Sequence, residues 1–85
     1  MHRLRQVFQQ RKVVTAAPHA SIHEVAALMT RAGVGAVPIV EGEQIVGIFS
    51  ERDLMTRAVV PRRDVEGTPV AEAMTREVVT ATLEE

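Results

Sequence analysis

The stretch Gly47-Ile48-Phe49-Ser50-Glu51-Arg52-Asp53-Leu54 is the most informative segment of the chain. The nearly continuous apolar run before Ser50 predicts a buried strand, and Ser50 is a good helix N-cap, so the chain passes here from strand to helix. The free N–H groups and the positive dipole end of such a helix favour an anion beside it. Ser50 and Asp53, at N-cap and N3, lie on the same side of the first turn.

Ser50 and Asp53 admit two interpretations. In the first, Asp53 accepts hydrogen bonds from both vicinal hydroxyls of a ribose, and the Ser50 hydroxyl holds the sugar or its phosphate. In the second, the two residues form a capping box and serve only the helix. Asp is shorter than the Glu or Gln that usually completes such a box. The local pattern leaves both interpretations open.

The composition excludes several classes of protein. With 85 residues, 46% hydrophobic and 25% charged, the chain fits one globular domain. It has no cysteine, which excludes disulfides and thiol catalysis, and a net charge of −1, which argues against nucleic acid and anionic membrane as partners. Phe8 and Phe49 are its only aromatic residues. No apolar run reaches the roughly 18 residues of a membrane span, so we expect a cytoplasmic protein.

The first half of the chain alternates strand and helix signals. Residues 1–12 predict an amphipathic N-terminal helix with a solvated basic face. Residues 12–17 predict a strand, which Pro18 ends. Ser21 and Glu24 predict the capping box of a helix over 21–32. His19 and His23 are not taken as metal ligands, because His19 lies outside this helix and no third ligand is evident.

Two apolar runs at 36–40 and 45–49 predict an antiparallel pair joined by a polar loop at 41–44. Pro38 within the first of them predicts an edge or a bulge. Because a strand follows Gly33-Val34-Gly35, this segment is not a phosphate-binding loop. The helix after Ser50 is expected to end by Pro61 and to direct four apolar residues inward: Leu54, Met55, Ala58 and Val59.

The remainder of the chain begins to repeat the start. Residues 61–68 read as a polar linker, Thr68 as a cap, and Pro69 as the first residue of a short helical turn that reaches Met74. Then Val78-Val79-Thr80-Ala81 duplicates Val13-Val14-Thr15-Ala16. A recurring segment of this kind indicates a tandem unit. We therefore expect residues 69–85 to be the start of a second, truncated repeat.

The order of these segments resembles one repeat of the CBS domain, a module named after cystathionine β-synthase. Four features support this resemblance: the strand at 13–17, the helix at 21–32, the segment Gly33-Val34-Gly35-Ala36-Val37-Pro38, and the motif from Gly47 to Asp53. The resemblance covers residues 13–60. It implies an α+β fold of order β-α-β-β-α, with a small three-stranded mixed sheet and helices on one face.

The resemblance also implies a regulatory module that binds an adenosine nucleotide such as AMP, ATP or NAD, with no other cofactor and no metal. Asp53 would hold the ribose hydroxyls, Ser50 the ribose or phosphate, and Arg52 is a weaker candidate for phosphate. The adenine slot would be lined by the following residues, the last three through their backbone: Thr15, Ala16, Ala36, Val37 and Pro38. Which nucleotide binds stays open.

The main alternative is an interaction module that pairs chains and binds no nucleotide, for which capping by Ser50 and Asp53 suffices. An enzyme is not expected, because no histidine is near Ser50 and Asp53 in sequence and no nucleophile motif is found. We expect a homodimer, since a chain of this size buries only roughly 60% of its unfolded surface. The outer apolar residues expected to need a partner are Met29, Met55 and Val59.

Overall fold

The computed structural model describes residues 14–76. Along this part of the chain lie helix α1 (Ile22–Ala32), strands β1 (Ala36–Glu41) and β2 (Gln44–Ser50), and helix α2 (Glu51–Leu54), which continues as a π-helix over Met55–Val59. A 3-10 helix, Val70–Glu72, follows. The predicted N-terminal helix and the repeated segment at 78–81 fall outside the described residues.

Helix α1 begins and ends where its capping residues predict. Ser21 Oγ accepts a hydrogen bond from the Glu24 N–H at 3.0 Å, and Glu24 Oε1 accepts one from the Ser21 N–H at 3.2 Å. Gly33 ends the helix with a φ of 69°, a left-handed conformation that glycine adopts without strain. The buried face of α1 consists of Ile22, Val25 and Met29. Met29 is 4% exposed, so its assignment to the outer apolar residues is wrong.

Strands β1 and β2 form the predicted antiparallel pair, and the turn between them is shorter than predicted. Glu41 pairs with Gln44, so only Gly42 and Glu43 remain in the turn, where Gly42 has a φ of 63°. The register shifts between Ile39 and Val40, which marks a β-bulge. The bulge therefore follows Pro38 by one residue.

Single residues extend this pair on both sides. On the β1 side, the Ala16 N–H donates to Pro38 O at 3.2 Å, and Ala16 O accepts from the Val40 N–H at 2.8 Å, in a parallel bridge. On the β2 side, Thr75 and Ile48 exchange two backbone bonds, of 2.8 and 3.0 Å, in an antiparallel bridge. Within residues 14–76 the sheet is thus mixed in its pairing, and two of its members there are regular strands.

Pro38 fits β1 because its nitrogen faces the Ala16 side of the strand. The nitrogen and the carbonyl of one residue point to the same side of a strand, and the Pro38 carbonyl bonds to Ala16. Ile48 is the residue that pairs with Pro38, and its backbone N–H and C=O both point away from β1 and bond to Thr75. Proline therefore removes no hydrogen bond from the β1–β2 ladder.

The helix after Ser50 departs from the periodicity assumed for it. After four α-helical residues it widens, and the Val60 N–H bonds to Met55 O, a π-helical step. Ala58 is fully buried and Leu54 is half-buried, as expected. Met55 and Val59 are 53% and 50% exposed, so their predicted inward orientation is wrong. The wider turn that begins at Met55 displaces Val59 from the α-helical spacing on which the expectation rested.

Residues 69–76, called the exit segment below, pack against the same core as the rest. Pro69 is the N-cap of the 3-10 helix and not its first residue, and no side chain caps that helix, which corrects the roles expected of Thr68 and Pro69. The reason is local pairing, because the Val70 N–H bonds to Ala20 O at 2.7 Å. The buried apolar core comprises Ile22, Val25, Met29, Val37, Ile39, Phe49, Ala58, Val70, Ala73 and Met74.

Candidate functional site

The N-terminus of α2 carries a complete capping box. Ser50 has an extended backbone, and its Oγ accepts from the Asp53 N–H at 3.2 Å. In return, Asp53 Oδ2 accepts from the Ser50 N–H at 3.0 Å. Asp is thus long enough for the reciprocal bond here. Capping, the second of the two interpretations left open by the sequence, is present in the structure.

Asp53 does more than cap the helix. Its Oδ2 also accepts a hydrogen bond from the Ser50 hydroxyl at 3.0 Å. Its Oδ1 accepts one from the Thr75 hydroxyl at 2.9 Å and lies 3.6 Å from Arg57 Nε. The residue is only 6% exposed, so these partners replace most of the water that a carboxylate needs. We call Ser50, Asp53, Arg57 and Thr75 the carboxylate cluster.

An apolar surface adjoins this cluster on the sheet face that points away from the core. Side chains alternate along a strand, and Val37 and Phe49 are buried in the core. Ala36, Pro38 and Ile48 therefore point to the opposite face, and we call them the sheet platform. Pro38 pairs with Ile48, which is 40% exposed, and Ala36 pairs with Ser50. The platform thus runs directly into the carboxylate cluster.

The structure brings most of the predicted site residues to this region. Ala36, Pro38, Ser50 and Asp53 are linked by strand pairing and by the cap. Val37 has a fully buried side chain, so only its backbone is available to a ligand, as the resemblance implied.

The other three predicted residues contribute less directly. The Ala16 backbone pairs with β1, while its side chain packs against the core. Thr15, next to it in the chain, is exposed. Arg52 is also exposed and precedes the buried Asp53. Their contact with a ligand stays a prediction.

Sequence reasoning missed Ile48, Arg57 and Thr75. The sequence did contain a signal for Arg57. It follows Asp53 by four residues on one helix, and this spacing brings an acidic and a basic side chain together. The sequence contained no signal for Thr75, because its hydrogen bond to Asp53 joins residues 22 positions apart. Ile48 was taken as a buried strand residue, yet its pairing with Pro38 turns it to the outer face.

Comparison with known proteins identifies the family. The family model described as CBS domain matches residues 4–60, more than half of the chain. The chain belongs to the CBS domain family. The chain is 40% identical over 68 residues to the CBS domain-containing protein YhcV of Bacillus subtilis, an alignment that covers 80% of this chain and 48% of YhcV. The chain thus spans about half the length of this relative.

Solved structures agree with this assignment. The CBS-domain containing protein ATU1752 from Agrobacterium tumefaciens has a TM-score of 0.73 and 34% identity, over 89% of this chain and 63% of its own. The CBS domain protein PAE2072 from Pyrobaculum aerophilum, complexed with AMP, has a TM-score of 0.69 and 27% identity, over 80% of this chain and 53% of its own. The α+β fold predicted from the sequence is confirmed.

Two negative findings apply to residues 14–76. Within that range, no three histidine or acidic side chains lie together in a way that would hold a metal ion. Nor does any helix there combine the length and the apolar character required to cross a membrane.

Proposed function

We propose that this CBS domain is a regulatory module that binds an adenosine nucleotide. The observation that carries the proposal is the junction of the sheet platform with the buried carboxylate of Asp53. A flat base fits against an apolar platform, and a carboxylate at its end accepts hydrogen bonds from a ribose diol. The AMP complex of PAE2072, a structural neighbour, supports the same class of ligand.

In this proposal each residue has a defined part. Adenine lies against Pro38 and the backbone around it, with Thr15 and the Ala16 backbone at its edge. Asp53 accepts the ribose hydroxyls and Ser50 contacts the ribose or the phosphate, while exposed Arg52 is placed to approach the phosphate. The domain binds its ligand and catalyses no reaction on it.

Two serines of the chain provide a matched test of the proposal. Ser21 and Ser50 are both N-caps of complete capping boxes, but only Ser50 adjoins the sheet platform. Ser21→Ala and Ser50→Ala should each lower stability by about 1 kcal/mol. Calorimetric titration with AMP, ATP and NAD should show binding to the wild type and to Ser21→Ala, and about tenfold or greater weakening in Ser50→Ala, which loses a hydrogen bond to the ligand. Absence of binding by the wild type, or equal binding by both variants, would contradict the proposal.

A second candidate function is pairing of chains without a nucleotide. The observation that favours it is the exposure of three apolar residues on one side of the second helix: Met55, Val59 and Val60 are 53%, 50% and 72% exposed. We call them the helix patch. An apolar cluster of this kind is typical of a protein–protein contact. We propose that the chain is a homodimer, a state compatible with nucleotide binding.

A further inference from the structure

Thr75 connects the candidate site to the exit segment. Its hydroxyl donates to Asp53 Oδ1 at 2.9 Å, while its backbone pairs with Ile48 in β2. Next to it, Arg57 Nη1 donates to Met74 O at 2.9 Å. Two side chains of the second helix, Asp53 and Arg57, therefore hold the segment through which the chain leaves the described domain.

The hydrogen-bonding capacity of Asp53 is largely in use. A carboxylate has about four acceptor sites. At Asp53, Oδ2 accepts two hydrogen bonds from Ser50, and Oδ1 accepts one from Thr75 and lies beside Arg57. Since the residue is 6% exposed, little of either oxygen faces solvent. A ribose diol that binds Asp53 must therefore replace an existing partner.

Of the two residues that donate hydrogen bonds to Asp53, Thr75 is easier to replace than Ser50. The bonds from Ser50 belong to the capping box, and their loss would leave the first turn of α2 uncapped. The Thr75 hydroxyl, by contrast, can rotate to water or to another acceptor without uncapping the helix, and Thr75 is then held only by its backbone bonds to Ile48, which open more readily. Rotation of this hydroxyl leaves an acceptor position on Oδ1 that a sugar hydroxyl could use.

We infer that Thr75 is a positioning residue that competes with the ribose for Asp53, so that nucleotide binding loosens the exit segment. The inference rests on the proposed function. A ligand that prefers the state with a free Oδ1 shifts the protein toward that state. By linkage, a partner that holds the exit segment against β2 weakens nucleotide binding. Nucleotide binding at the site thereby changes how firmly the part of the chain that leads to residue 76 and beyond is held against the domain.

The test uses AMP and the full chain with Thr75→Val and Thr75→Ser. Valine keeps the β-branched shape but cannot donate to Asp53, whereas serine keeps the hydroxyl. Calorimetry should show about three- to tenfold tighter AMP binding by Thr75→Val than by the wild type, because one competing hydrogen bond is gone. Thr75→Ser should bind AMP as the wild type does. A purely structural role of Thr75 would lower stability without raising affinity.

Hydrogen exchange supplies a second readout that does not depend on the valine variant. AMP should accelerate exchange of the Thr75 amide, which bonds to Ile48 O, in the wild type and in Thr75→Ser. Equal or weaker AMP binding by Thr75→Val, or an unchanged Thr75 amide in the wild type, would overturn the competition while binding by the wild type still supports the proposed function. Failure of all three proteins to bind AMP would overturn both.

Discussion

At the scale of single residues, Asp53 combines a helix cap with a contact between distant segments. Glu24 is a matched reference, because it is the N3 acid of the capping box of α1. Glu24 is exposed, whereas Asp53 is buried and also bonds to Thr75 from the exit segment. The same sequence pattern therefore has different energetic weight at the two helices.

Replacement of the two acids should reveal this difference. Asp53→Ala leaves the Ser50 and Thr75 donors without their acceptor and should cost about 2–3 kcal/mol of stability. Glu24→Ala removes one exposed capping bond and should cost about 0.5–1 kcal/mol. Urea denaturation of both variants measures the two values. Equal losses would mean that the bonds from the exit segment to Asp53 contribute nothing to stability.

At the scale of elements, the structure shows which features short-range patterns encode. The Ser21–Glu24 box, Gly33 and the Ser50 cap are local signals, and the helices begin or end there as predicted. The π-helical turn at Met55–Val59 was not predictable from a 3.6-residue period, which assumes a regular α-helix. The Thr75–Asp53 bond joins segments far apart in sequence, so no spacing rule reveals it.

The exit segment is the element whose packing the sequence least suggested. Polar linker residues precede it, yet Val70, Ala73 and Met74 are almost fully buried in the core. Met74 also lies directly over Gly47, where a Cβ atom would be 2.5 Å from the Met74 sulfur. Any side chain at position 47 would therefore require Met74 to move. The exit segment therefore acts as part of the described domain.

Substitution of two methionines tests whether the exit segment is part of the core. Met74 is 2% exposed and Met55 is 53% exposed. Met74→Ala creates a cavity in the core and should cost about 2–4 kcal/mol of stability. Met55→Ala removes exposed surface and should change stability by about 0.5 kcal/mol or less. Thermal and urea unfolding compare the two, and a Met74→Ala variant as stable as Met55→Ala would show that the exit segment is not held in the core.

At the scale of the whole molecule, the exposed apolar surface indicates where two copies of the chain could pair. Within residues 14–76 the most exposed large apolar side chains belong to the helix patch of Met55, Val59 and Val60. Met55 and Val60 are one π-helical step apart, and Val59 adjoins Val60. These side chains therefore form one surface. A two-fold axis through such a surface lets the same residues of two chains cover each other.

We therefore expect a homodimer that depends on the helix patch. Light scattering across a dilution series should give a dimer mass for the wild type and a monomer mass for Val59→Asp, because a dimer buries the introduced charge. Ile48→Asp, on the sheet platform, is the matched control and should leave the dimer intact. Circular dichroism must show that both variants remain folded. A wild-type monomer at every concentration would contradict the dimer, and a monomer produced by Ile48→Asp alone would place the contact on the sheet instead.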